Sequence, residues 1–456
     1  MTKLFRGTCI ALIPVVFLLQ AFLGLPWIPG LLGWVSLLAL VQCLPGSTGP
    51  ARRSGIALLA MGIFLMLASR ATFVQWLSAF TKNAVILAVM LTVPILGLPL
   101  RYGGYFAPLE AFYTRYVYSR NRLYLLSSVM SLLIGVLLNF AVVPIVYQLS
   151  RGTSIEGGNR IVSTAIVRGY GAAVFWAPGF ISVGMMLHAL NLEWTEILPT
   201  GLLLSALALG LGWLLEMLRL KVFAAGTATP EGEEPKVSTI DWRKLGELSM
   251  VGLILIVAIL LVDLLTPFPV VNVIPLFAVF FPVAWSAAIG KKKDLKDEMT
   301  NYARSVLPNQ RNDVVLFVSA GFFGAALQVS GLGERMAAVM QGLGGYFPGG
   351  PVAAILLSVI ALGVIGVHPV IPITTYLANL NPAALAISSR VLAVTLISSW
   401  ALGSGSSPFS GVNLLMSGQA GVTSTEIGLR WNLGYTLILG VMVVLILSGL
   451  QSWVGL

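Results

Sequence analysis

Gly403-Ser404-Gly405-Ser406-Ser407-Pro408 interrupts an apolar run that extends over 391–420. A run of that length exceeds the ~20 apolar residues needed to cross the hydrocarbon core of a bilayer. Glycine, serine and proline in such density work against a continuous helix. Interrupted backbone at membrane depth is tolerated only where protein buries it or where it lines a cavity. The stretch therefore reads as a membrane helix broken for a purpose. A second such run, 161–190, stands 230 residues upstream, with Gly169-Tyr170-Gly171 and then Ala177-Pro178 as its interruption.

Correspondence extends outward from the two interruptions. At an offset of 230, Arg160 falls on Arg390, Pro178 on Pro408, and Thr195-Glu196-Ile197 on Thr425-Glu426-Ile427, with no gap between them. At offsets of 229 and 228, Asn83 falls on Asn312 and Val142-Val143-Pro144-Ile145 on Val370-Ile371-Pro372-Ile373. Chance similarity between apolar segments is common; a collinear series of Asn, Pro, Arg, Pro and Thr-Glu-Ile is not, and the chain reads as two copies of one unit. The implied organisation is 1–82, N-terminal scaffold helices; 83–220, repeat one; 221–311, polar cytoplasmic linkers and two scaffold helices; and 312–456, repeat two. Each copy also carries an apolar segment that turns back. The first is 125–148, with Asn139 and Pro144 near its far end. The second is 350–386, too long for one helix and interrupted at Val367-His368-Pro369.

Composition points the same way. Of 456 residues, 57% are hydrophobic and 10% charged, against about 25% charged in soluble domains; the mean hydropathy is +0.92. No polar stretch is long enough to fold alone, which excludes a soluble enzyme, a nucleic-acid-binding protein and a disordered chain. Cys9 and Cys43 have no metal-ligand spacing, and two histidines are too few for a metal cluster. The run after Met1 to Arg6 lacks a small-residue cleavage site and reads as the first membrane helix. No Gly-x-x-x-x-Gly-Lys-Ser/Thr phosphate loop occurs, so the chain does not hydrolyse ATP itself.

The net charge of +10 fits the excess of Lys and Arg in cytoplasmic loops of membrane proteins. With the N-terminus cytoplasmic and 125–148 re-entrant, Arg70, Lys82, Arg335 and Arg390 lie outside, Arg168 lies within a span, and the other 22 of the 27 basic residues are cytoplasmic. Repeat one then starts outside and repeat two inside. The expected fold is an all-α polytopic membrane protein of two inverted-topology repeats, each with a re-entrant hairpin and a broken helix, with about eleven crossings and the C-terminus external.

Inverted repeats with broken helices are the architecture of secondary transporters. The order of span, interfacial segment, hairpin, broken helix and span, repeated with inversion over roughly 83–450, resembles the ion transporter superfamily. That group includes divalent anion/sodium symporters, arsenite permeases and sodium/proton antiporters of related fold. Asn312-Asp313-Val314-Val315-Leu316-Phe317 through Gly331-Leu332-Gly333-Glu334-Arg335 is similar to the span and loop before its second hairpin. Of the Ser-Asn-Thr hairpin tips of sodium/dicarboxylate members, Leu138-Asn139-Phe140 keeps the Asn, and Gly366-Val367-His368-Pro369 keeps none. The resemblance implies an elevator-type symporter of a small, carboxylate-like organic anion, not an enzyme, coupled to Na⁺ or H⁺ and with no other cofactor. Its setting would be a homodimer in a bacterial plasma (inner) membrane. Arsenite transport, cation/proton antiport and lipid flipping are the alternatives.

Candidate site residues follow from side-chain chemistry. Asn139 offers an amide to substrate or ion near a hairpin tip, or caps the turn. Ser404, Ser406 and Ser407 put hydroxyls and carbonyls in reach of Na⁺ or a substrate oxygen, or are small for close packing. Asn413, just past them, completes a candidate ion set with Asn139, Ser404 and Ser406. Thr374 and Thr375, after Pro372, face substrate or bond to the preceding turn. His368, at the second tip, binds substrate, senses protons or is satisfied by backbone. Arg168 is the basic residue within a span; such charges are costly and usually functional, so it counters an anion or pairs with carbonyls. No catalytic residue or metal site is expected. No Asp or Glu lies in the hairpins or interruptions, which counts against cation/proton antiport. A membrane enzyme would need a nucleophile–base pair that the spans do not offer. The basic, Tyr-rich 101–122 segment suits an interfacial arm or lipid headgroups.

Overall fold

The computed structural model describes residues 3–151, 158–223, 239–332, 342 and 349–453, and these are helical with no strand. The expected linker and arm at 224–238 and 333–348, apart from Gly342, and the terminal Leu456 lie outside the described residues. Ten of the described helices are long and apolar enough to cross a membrane, which makes this an integral membrane protein.

Three N-terminal helices, α1 (Lys3–Leu23), α2 (Ile28–Cys43) and α3 (Gly49–Ala68), precede a short α4 (Phe73–Ala79) that Thr72 and Gln75 start with a reciprocal capping box. Next come α5 (Ala84–Leu96) and the short α6 (Leu98–Tyr102) and α7 (Phe106–Tyr116). Helix α5 is apolar all round and buried on almost every side, so it lies at the centre. By contrast, α13 (Trp242–Leu265), followed by α14 (Val270–Ala288), buries only Leu255, Ile259 and Asp263; the rest of its apolar surface faces outward. After α15 (Lys292–Asn301), α16 (Arg311–Val329) packs between α3 and hairpin two.

Each apolar turn-back is a hairpin. In the first, α8 (Arg120–Leu138) ends at Asn139, whose φ of 51° and ψ of −130° redirect the chain, and α9 (Val142–Ser150) follows. Both arms reach the same end. Leu123, at the start of α8, packs against Gly158, and Tyr147, near the end of α9, donates to Asn159 Oδ1 at 3.0 Å. In the second, α17 (Gly350–Val364) and α18 (Val370–Asn379) flank Gly366, at φ 98°. The Ser358 and Tyr376 hydroxyls are 2.6 Å apart, whereas in a continuous helix residues 18 apart would be separated by about 27 Å.

The broken helices are α10 (Gly158–Val174) with α11 (Ile181–Leu190), and α19 (Ser389–Ser406) with α20 (Gly411–Ala420). Both breaks lie later than the glycines suggested. Gly169 and Gly171 are helical, as are Ser404 and Ser406. The helices end instead where the residue before a proline is pushed out of the α region, as at Ser407 (ψ 125°) before Pro408. The glycines serve packing: a Cβ on Gly169 would strike the backbone of Ser128 in hairpin one, and one on Gly403 would sit 3.5 Å from the Val359 carbonyl oxygen.

Two ion pairs fix the direction of the broken helices. Arg160, opening α10, holds Glu216 at 2.5 Å, and Arg390, opening α19, holds Glu196 at 2.6 Å. Both glutamates belong to α12 (Trp194–Phe223), twenty residues and so about 30 Å apart along its axis. Asn159 also donates to the carbonyl of Ala420 at 2.8 Å, joining the start of one broken helix to the end of the other. The two therefore run antiparallel. The chain closes with a π-helical turn, Glu426–Asn432, leading into α21 (Leu433–Trp453).

Candidate functional site

The two hairpin tips and the two breaks converge. At tip one the Tyr170 hydroxyl, from α10, donates to Asn139 Oδ1 at 2.9 Å. Phe140 stacks on the Tyr170 ring with centroids 5.2 Å apart, and Phe180, closing break one, meets that ring edge-on at 5.3 Å. Phe140 also covers Gly411, the first residue of α20, while Phe409 in break two covers Gly366 at tip two. Ser407 Oγ donates to the Gly363 carbonyl of hairpin two at 2.6 Å and accepts the N–H of Phe409. Asn139 and Phe140, Phe409 and Ser407 thus form one continuous surface.

Break two is polar and is organised by Asn413, which is fully buried. Its Nδ2 donates to the carbonyls of Ser404 (3.3 Å), Gly405 (3.0 Å) and Ser407 (2.9 Å), groups that the end of a helix leaves unpaired. Its backbone N–H is taken by Ser410 Oγ, which caps α20. Its Oδ1 has no partner among the described residues. Reversing the amide would aim an oxygen at three oxygens, so the contacts fix this orientation. Ser406 Oγ bonds back to the Leu402 carbonyl at 2.9 Å, whereas the half-buried Ser404 hydroxyl bonds to none of the described residues. Break one differs: Val174, Ala177, Phe180 and Val183 occupy the positions of Ser404, Ser407, Ser410 and Asn413.

The remaining candidates lie around this centre. His368, at tip two, accepts the Val370 N–H on Nδ1 at 3.2 Å and sits edge-on between Phe317 and Trp400. Thr375 bonds back to the Ile371 carbonyl. Thr374 is 3.5 Å from the Asn83 amide, facing α16 rather than break two. Arg168 is buried on the far side of the crossing of α10 and α19. Its guanidinium donates to Asn432 Oδ1 and the Trp431 carbonyl at 2.9 Å each, reaches Tyr124 and the Gly212 carbonyl, and lies 4.6 Å from the Tyr435 ring centre. The free space beside it is about 10 Å³, room for about one water. Sequence reading did not single out Tyr170 or Asn432 as partners. Tyr170 stood inside the glycine pair, but nothing in a linear sequence places Asn432, 264 residues on, beside Arg168.

These features define a polytopic helical membrane protein with two hairpins and two antiparallel broken helices. No family model matches the chain, and no curated protein matches it. Among solved structures, it is similar to the crystal structure of the YdaH transporter of Alcanivorax borkumensis, described as having an unusual topology. The TM-score is 0.53 at 15% identity, covering 93% of this chain and 98% of that one. The chain shares the fold of a membrane transporter over nearly its whole length.

Proposed function

We propose that this protein is an elevator-type secondary transporter of a small carboxylate-like anion, coupled to Na⁺ or H⁺. The observation that carries the reading is the meeting of two hairpin tips with the breaks of two antiparallel helices. In that arrangement α20 presents its N-terminal N–H groups beside Asn139 and Phe140, a favourable place for a carboxylate. Ser404 and Asn413 Oδ1 are the oxygens left for a coupling ion, and Ser406, Ser407, Thr375 and His368 shape the surrounding wall. Arg168 joins the two halves by way of Asn432 and supplies positive potential from behind. Setting aside hairpin one, which folds back, nine of the ten long helices cross; with the two broken helices the count is eleven. The basic ends of α5, α14 and α16 face the cytoplasm, and the outward apolar face of α13 is the dimer surface. The test is uptake into proteoliposomes of a carboxylate panel with and without a Na⁺ or H⁺ gradient. Gradient-driven accumulation of at least one member is expected; none with any member removes the anion reading.

A further inference from the structure

A cavity of about 320 Å³ lies between α5, α11, α16 and α18, at the end of the molecule opposite the basic loops. Its floor is polar and well built. Asn83, buried, donates to the Phe317 carbonyl at 2.9 Å and approaches Thr374 Oγ1 at 3.5 Å. Two glycines of α16 keep that floor open: a Cβ on Gly321 would come within 3.1 Å of the Asn83 amide, and one on Gly324 within 3.2 Å of Thr374. Lys82, His188 and Gln328 stand exposed at its rim. No carboxylate is among the described residues that line the cavity. Glu193, five residues past His188, is not among the lining residues; Glu196 holds Arg390, and Asp263 accepts the N–H groups of Trp194 and Thr195. Lys82 forms no ion pair among the described residues.

An exposed ammonium at the rim beside the Gln328 amide, with no ion-pair partner among the described residues, is complementary to an anion. The cavity also touches both parts of the machine. α5 and α16 belong to the central frame, while α11 is the outer half of the first broken helix. The His188 and Phe180 ends of that half are about 12 Å apart along its axis, and Phe180 abuts the Tyr170 ring at tip one. We infer that this cavity is a capture site, on the side opposite the cytoplasm, where Lys82 with the amide of Gln328 takes a small carboxylate before it moves along α11 to the tips. The inference rests on the transport reading but concerns different residues.

The test places a cysteine at Gln328 in a background with Cys9→Ser and Cys43→Ser, and follows its reaction with anionic and cationic methanethiosulfonate reagents. With Lys82 present, the anionic reagent should react several-fold faster than the cationic one, and acetate, succinate or citrate should slow it. In Lys82→Gln both effects should disappear, and Lys82→Arg should restore them, which separates lost charge from lost folding. Equal rates for the two reagents, or equal protection in Lys82→Gln, overturn the inference. Uptake of the same probes separates it from the wider reading. Uptake without protection overturns the capture site alone; protection without uptake supports the site and overturns the transport reading; neither overturns both.

Discussion

Asn413 and Ser404 lie within one break, yet they separate stability from binding. The Asn413 amide is the donor for three helix-end carbonyls, so Asn413→Ala strands them in the interior at a cost of about 1–3 kcal/mol. The melting temperature should fall and transport with it. Asn413→Asp should be worse than alanine, because it presses a carboxylate oxygen against those carbonyls; a melting temperature above that of the alanine variant would contradict the clip. Ser404→Ala removes a hydroxyl that bonds to none of the described residues. It should leave the melting temperature unchanged and lower uptake by about two- to tenfold, the value of about 0.5–1.5 kcal/mol for one neutral hydrogen bond. Unchanged uptake kinetics would remove Ser404 from the site. The sequence distinguished these residues from their neighbours only in part. Small polar residues before a proline mark a break, but whether a serine bonds back to its own helix, as Ser406 does with Leu402, depends on a rotamer that composition does not encode. Arg168 shows the same limit: a buried charge is visible in one dimension, and its partners across the fold are not.

At the scale of elements, the two ion pairs on α12 have unequal weight. Glu216 is 3% exposed and Arg160 19%, while Arg390 is 44% exposed. Breaking the buried pair with Glu216→Gln should destabilise the protein by about 3–5 kcal/mol; Glu196→Gln should cost about 0–1 kcal/mol. Thermal melts of both variants in one detergent give the ranking, and equal shifts would mean that Arg160 has another acceptor. Element limits were largely readable from apolar runs cut by charge. α11 and α20, ten residues each, stand 230 apart at both ends, the offset at which Pro178 falls on Pro408. Each break falls at the proline end of its interruption and not at the glycines, because a glycine reads alike whether it ends a helix or lets another backbone approach. Proline, which lacks the N–H, is the better marker.

For the molecule as a whole, an elevator requires that the hairpins and broken helices slide past the frame. Gly184 on α11 faces Val271 on α14, and a Cβ at Gly184 would lie 4.0 Å from that of Val271, within the span of a disulfide. Oxidising the pair Gly184→Cys with Val271→Cys should stop uptake, and reduction should restore it. Full turnover in the oxidised protein would show that this contact does not move. Orientation is tested by cysteines at Glu193 and Lys292, of which only the first should react with an impermeant reagent in intact cells.

Helix α12 has a consequence that concerns the lipid rather than the solute. Its two ion pairs anchor charges about 30 Å apart along one helix, which is the thickness of a typical hydrocarbon layer. Thinner or thicker bilayers would bury one pair or draw both into water, and mismatch costs fractions of a kcal/mol per ångström. α12 therefore acts as a gauge, and the protein's activity should pass through a maximum as acyl-chain length is varied.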